Sequence, residues 1–290
     1  MLVTGYGTRT VVVVLCVVAA SGGCRKAVEH RQKGDTQKVK LSPAPTLTAK
    51  PEQSWRWLDA LDQPYSDKFR KTFDYAQADV TVSLPKVGAV FSGRLSAKKL
   101  KPNFAYQMKL VGMPPSVWGE KGDAASNLRL GKLGRWWRRG EQGGNAYVFD
   151  EGDKSKLEAY LLFGYFVTDA QGKAEVDLRL DSSYHVLWKT SQWPPAKEDG
   201  RPTSHKIVAR AGAYGYDRAF PDGVLKLYAE AQYGRPPRGT VELPVGRYRC
   251  FLLLTEESFH AWGGGDGGDW AAALAAVVEF NIMPPDMGEQ

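Results

Sequence analysis

The sequence predicts an all-β chain: an antiparallel β-sandwich with two long loop insertions and short helical turns at its N-terminal edge. Three observations predict it. From Asp79 onward, apolar and polar residues alternate in about ten short runs, the two-residue period of a half-buried strand. Turn signals separate the runs, among them Asp169–Gly172, Asp222-Gly223 and Pro244–Gly246. No stretch of the body carries a long 3.6-residue apolar period. The composition agrees with a globular body: 43% of the 290 residues are hydrophobic and 24% charged. Those values exclude wholesale disorder, a collagen repeat and a multi-span membrane protein. Three cysteines are too few for a disulfide scaffold.

Residues 1–23 read as a signal peptide. Arg9 precedes an apolar run from Val11 to Ala20, and small residues follow to Gly23. The run is shorter than the roughly 20 residues a transmembrane helix needs. Residues 24–53 are rich in Lys, Gln, Thr and Pro and read as a flexible basic tether. The composition changes at Trp55, so that 54–290 is read as a single sandwich domain. Its entry, from Trp55 to Tyr75, spaces aromatic and aliphatic residues by three and four, with Pro64 between. That spacing suggests short helical turns packed before the first strand.

The strands follow in order at 79–84, 87–95, 104–112, 159–168, 174–180 and 184–190. Five more follow at 205–211, 224–230, 239–243, 246–256 and 275–282. Residues 113–146 and 191–223 interrupt the pattern as long insertions. The first carries Arg135-Trp136-Trp137-Arg138-Arg139, and the second is rich in Pro, Gly and Tyr. Long loops on a rigid scaffold are where a site is expected.

The run Ser21-Gly22-Gly23-Cys24 resembles the lipobox of bacterial lipoproteins, with Ser21 where that family usually has Leu. The resemblance implies that Cys24 is the first mature residue and carries acyl chains. Several such chains anchor a protein stably without a transmembrane helix. Arg25 at the following position implies sorting to the outer membrane, and cleavage without lipidation would give a secreted or periplasmic protein. Residues 90–112, with the turn Leu100-Lys101-Pro102, resemble the opening hairpin of immunoglobulin-like and superoxide-dismutase-like sandwiches. The dismutase metal histidines are missing, because Tyr106-Gln107-Met108 stands where a His-x-His pair would be. Only the architecture is implied.

Chemistry-bearing motifs are scarce. There is no G-x-S-x-G elbow, no phosphate-binding loop and no dinucleotide fingerprint. Of four histidines, His30 falls in the tether and His185, His205 and His260 in the body. A metal site using His185 and His260, with Glu256 or Glu257 as oxygen donor, defines the rival reading of a metal-dependent enzyme. A strand histidine at 185 and a surface histidine at 260 are the simpler assignments. The run Gly263–Trp270 offers Asp266 and Asp269 among glycines without the spacing of a calcium loop. Cys250 alternates with Tyr248, Leu252 and Leu254 and reads as a small buried hydrophobe.

Nine tryptophans are many for this length. Trp118, Trp136, Trp137, Trp193 and Trp262 lie in polar surroundings, where exposed rings stack on sugars or anchor partners. The alternative is that they pin the long loops. The net charge of +7 is concentrated near the start. Residues 1–53 carry eight Lys and Arg against three Asp and Glu, and the other 31 basic side chains face 29 acidic ones. A body so balanced is no nucleic-acid binder by bulk charge. The expectation is therefore an envelope-anchored lipoprotein, joined to the membrane through Cys24. It presents a sandwich that binds a glycan or another envelope protein, with no cofactor. A structural subunit of a surface assembly is the third reading.

Overall fold

The computed structural model describes residues 35–44, 53–137, 154–189, 203–231, 240–259 and 269–284. Among the described residues, fourteen strands form three sheets, and the pairings are antiparallel except for one short parallel contact. The first sheet runs β1 (Thr36–Lys40), β3 (Asp79–Pro85), β5 (Ser92–Lys98), β9 (Ala174–Arg179). The large sheet runs β2 (Ser42–Pro43), β14 (Trp270–Ile282), β13 (Gly246–Glu257), β6 (Ala105–Val111), β8 (Glu158–Val167), β7 (Arg135–Trp137). The short strand β4 (Val87–Gly88) lies parallel to β14. The third sheet runs β10 (Tyr184–Trp188), β12 (Gly223–Ala231), β11 (Thr203–Ile207).

Alternation places the core. Val80, Val82 and Leu84 of β3, with Leu95 and Ala97 of β5, turn toward Tyr106, Met108 and Leu110 of β6. Tyr248, Cys250, Leu252 and Leu254 of β13 join them, each with no exposed surface. This is the sandwich interior, and Cys250 sits in it as a free, buried thiol. The opposite face of the large sheet is covered too, so every residue of β6 is buried. At one end of that face, Ala105, Tyr165 and Val167 pack against Leu187, Leu225, Leu227 and Ile207 of the third sheet.

Two segments depart from the sequence expectation. Residues 36–43, placed in the flexible tether, form β1 and β2. Val39 and Leu41 share one face of this segment, and Leu41 is 1% exposed. Two apolar residues among Lys, Gln and Pro are too few to read as a strand, and pairing with β3 supplies what the pattern lacks. The second departure is the insertion at 113–146, which contains helices α2 (Pro115–Trp118) and α3 (Ala124–Leu133) as well as β7. Asp123 caps α3 by accepting the Ser126 N–H at 3.0 Å, and Gly134 ends it. Asn127 clamps α3 to β8, donating to the Leu157 carbonyl and accepting the Ala159 N–H, both at 2.9 Å. The expected strand at 239–243 reduces to a bridge between Thr240 and Ser182. The helical turns at the N-terminal edge are present at Ser54–Trp57, at α1 (Asp67–Thr72) and at Tyr75–Gln77. No helix among the described residues is long and apolar enough to cross a membrane.

Candidate functional site

β8 and β9 follow one another in the chain but belong to different sheets, and the third sheet packs against the end of β8. A cleft of about 340 Å³ lies there. Met108 and Phe163 reach it from the core, Gly164 and Tyr165 from β8, and Val176, Asp177 and Arg179 from β9. Asp181, Ser182 and Tyr184 continue the wall, and Thr203, His205 and Ala229 come from the third sheet. A β-bulge shapes one wall: Met108 pairs with Gly164 and Lys109 with Leu162, leaving Phe163 as the extra residue. Such a bulge bends a strand and re-aims its side chains.

The polar groups of the cleft are of two kinds. On the third-sheet side, the Tyr165 hydroxyl donates to the exposed Thr203 Oγ1 at 2.6 Å. His205 shares the Thr203 face of β11, and its ring stands edge-on to Tyr165 at 6.3 Å between centroids. Its Nε2 is buried and has no hydrogen-bond partner among the described residues. Burial pushes the His205 imidazole below its ordinary pKa, so the ring is neutral at neutral pH. At the rim, Arg179 Nε donates to Asp181 Oδ2 at 2.7 Å, and Ser182 Oγ donates to Asp181 Oδ1 at 3.1 Å. Asp177 stands exposed beside them.

Three of the five tryptophans fall among the described residues, and they follow the alternative reading, in which the rings pin the long loops. Trp136 and Trp137 are 8% and 4% exposed, because β7 lays both against its neighbours. Trp136 belongs to the main core, and Trp137 meets the Trp270 ring at 5.5 Å. Trp118 is half-buried: Nε1 donates to Glu158 Oε1 at 2.9 Å and the ring packs on Phe251 at 4.7 Å. These three rings pin the insertion to the sheet and do not form an open binding surface. Trp193 and Trp262 lie outside the described residues, as do Cys24 and His260. His185 falls on β10, and its side chain is likewise outside the description.

Glu256 cannot serve as the free oxygen ligand that the metal reading needs. It is fully buried, with Arg56 Nε at 2.5 Å from Oε2 and Lys101 Nζ at 2.5 Å from Oε1. The Tyr75 hydroxyl donates to Oε1 at 2.5 Å and shares a 3.0 Å hydrogen bond with Tyr106. Burial alone would raise the Glu256 pKa, but Lys101 and Arg56 outweigh it and hold the carboxyl below its ordinary value. Burial pulls Lys101 down to about 8, against the attraction of Glu256. The Trp57 ring lies 4.4 Å from Lys101 Nζ. This cluster fastens the N-terminal turns to the end of the sandwich.

A second buried pair occupies the outer face of the large sheet. Burial lowers Lys109 to about 7 and raises Glu257 to about 7, and Lys109 Nζ rests 3.6 Å from the Trp270 ring centre. Among the described residues, no three His, Cys, Asp or Glu side chains gather to hold a metal ion.

The cleft residues were not among the sequence candidates. The one available signal was position, because Thr203 and His205 alternate inside the second long insertion. Comparison of the chain with protein-family models, curated proteins and solved structures finds no match.

Proposed function

We propose that this chain is a lipoprotein of the bacterial cell envelope, held by acyl chains on Cys24. In this reading its sandwich is a binding module for a glycan or another envelope protein, and the cleft is the ligand site. The single observation that carries the binding role is the cleft itself. Its volume suits a small ligand or a protruding group of a larger one. It combines aromatic walls with convergent polar groups, the usual composition of a recognition site. Beside the anchoring Cys24, the basic residues of 25–34 favour approach to an anionic headgroup surface.

Two measurements test the reading. Metabolic labelling with a fatty-acid analogue labels the wild-type chain and spares Cys24→Ala, and only the labelled form partitions into detergent. Solubilised envelope components bind the wild-type body, and Asp177→Ala with Arg179→Ala weakens that binding. Unlabelled protein cleaved elsewhere would refute the anchor. Binding indifferent to the double variant would remove the cleft from the proposal.

A further inference from the structure

We infer that the cleft recognises an uncharged, hydroxyl-rich ligand, a saccharide unit of one or two rings, through the Tyr165–Thr203 hydroxyl pair and the His205 imidazole. The inference rests on the binding-module reading and names its ligand class.

Three features of the cleft lead there. The first is unspent hydrogen bonding. Once Tyr165 has donated to Thr203, the Thr203 proton and lone pairs on both oxygens remain available. The buried His205 Nε2 has no partner among the described residues. An unpaired buried polar atom is unfavourable, and a rotation of the His205 ring that brings Nε2 to a ligand hydroxyl relieves that loss. A hydroxyl both donates and accepts, so it satisfies either tautomer of a neutral imidazole.

The second feature is charge. The lining holds one arginine, Arg179, paired through Nε with Asp181, against two carboxylates, so the rim is net acidic. The remaining carboxylate, Asp177, repels an anionic ligand. The third feature is the set of rings. Tyr165 and Tyr184 line the cleft, and the C–H face of a sugar packs well on aromatic rings.

The test is calorimetric titration of the full chain in detergent with maltose, cellobiose and N,N′-diacetylchitobiose. Glucuronic acid is the anionic arm, and a pool of uncharged extended peptides is the polypeptide arm. At least one neutral disaccharide is expected to bind saturably and glucuronic acid to bind at least tenfold more weakly. His205→Ala, Tyr165→Phe and Thr203→Val are each expected to weaken the disaccharide at least tenfold. Lys206→Ala, on the opposite face of β11, is expected to bind as wild type. Thr203 is exposed, so its variant reads the site even if His205→Ala fails to fold. Absence of saturable binding by every neutral disaccharide overturns the inference. So does disaccharide binding that all three variants leave unchanged, although the binding-module reading then stands. Peptide binding that the variants abolish overturns the ligand class and keeps the cleft as the site.

Discussion

Lys101 Nζ lies 2.5 Å from Glu256 Oε1, with side-chain exposures of 1% and 0%. The two residues come from the β5–β6 turn and the end of β13, and Arg56 closes on the other carboxylate oxygen. One buried carboxylate thus holds two cations from distant parts of the chain. Removing one partner of a buried pair strands the other and costs about 3–5 kcal/mol. Lys101→Met and Glu256→Gln are each expected to lose stability on that scale in urea titrations. The double variant is expected to lose less than the sum of the two, by more than about 1 kcal/mol. Additive losses would show that the pair is not coupled.

The same cluster predicts an acid limb. The folded-state pKa of Glu256 lies below its unfolded value, so it contributes stability that is fully present above the unfolded pKa. That contribution is lost as pH falls through the ordinary carboxylate range toward the folded value. Urea midpoints measured from pH 7 downward are expected to fall more steeply in wild type than in Glu256→Gln. Parallel curves would contradict the assignment.

Gly131 and Trp136 give a prediction whose sign opposes helix propensity. Alanine is favoured over glycine inside a helix by about 1 kcal/mol. A Cβ on Gly131 overlaps the Trp136 ring, so Gly131→Ala is expected to destabilise the chain. Trp136→Ala removes a ring that belongs to the main core and is expected to cost about 3–5 kcal/mol. Thermal melts of both variants check this, and a stabilised Gly131→Ala would contradict the packing.

Cys250 is expected to resist alkylation. Burial raises the pKa of its thiol, and the side chain has no exposed surface. Iodoacetamide treatment at pH 8 followed by peptide mass mapping is expected to leave Cys250 unmodified in folded protein and to modify it in urea. Rapid labelling of the folded chain would contradict its position in the core.

Much of the sandwich was legible because its strands alternate. The run from Tyr248 to Leu254 announces its buried face unaided. The edge strand at Thr36–Lys40 was hidden because its pairing with β3, and not its own pattern, makes it a strand. α3 was hidden because Gly131 and Gly134 argue against a helix locally, while the Asn127 clamp and the Trp136 contact hold it in place. The placement of the tryptophans of the first insertion stayed open in the sequence because a polar sequence neighbourhood says nothing about tertiary burial. The Arg56–Glu256 pair joins residues 200 positions apart, and the cleft draws its polar groups from β8, β9 and β11. No local spacing encodes either.

The measurement closest to the central claim is a heteronuclear NMR titration of the full chain with a neutral disaccharide that binds in calorimetry. The predicted result is saturable shifts at the His205 ring, Tyr165, Thr203 and Tyr184, lost together in Thr203→Val. Shifts centred elsewhere on the sandwich, or none at saturating ligand, would contradict the cleft as the recognition site.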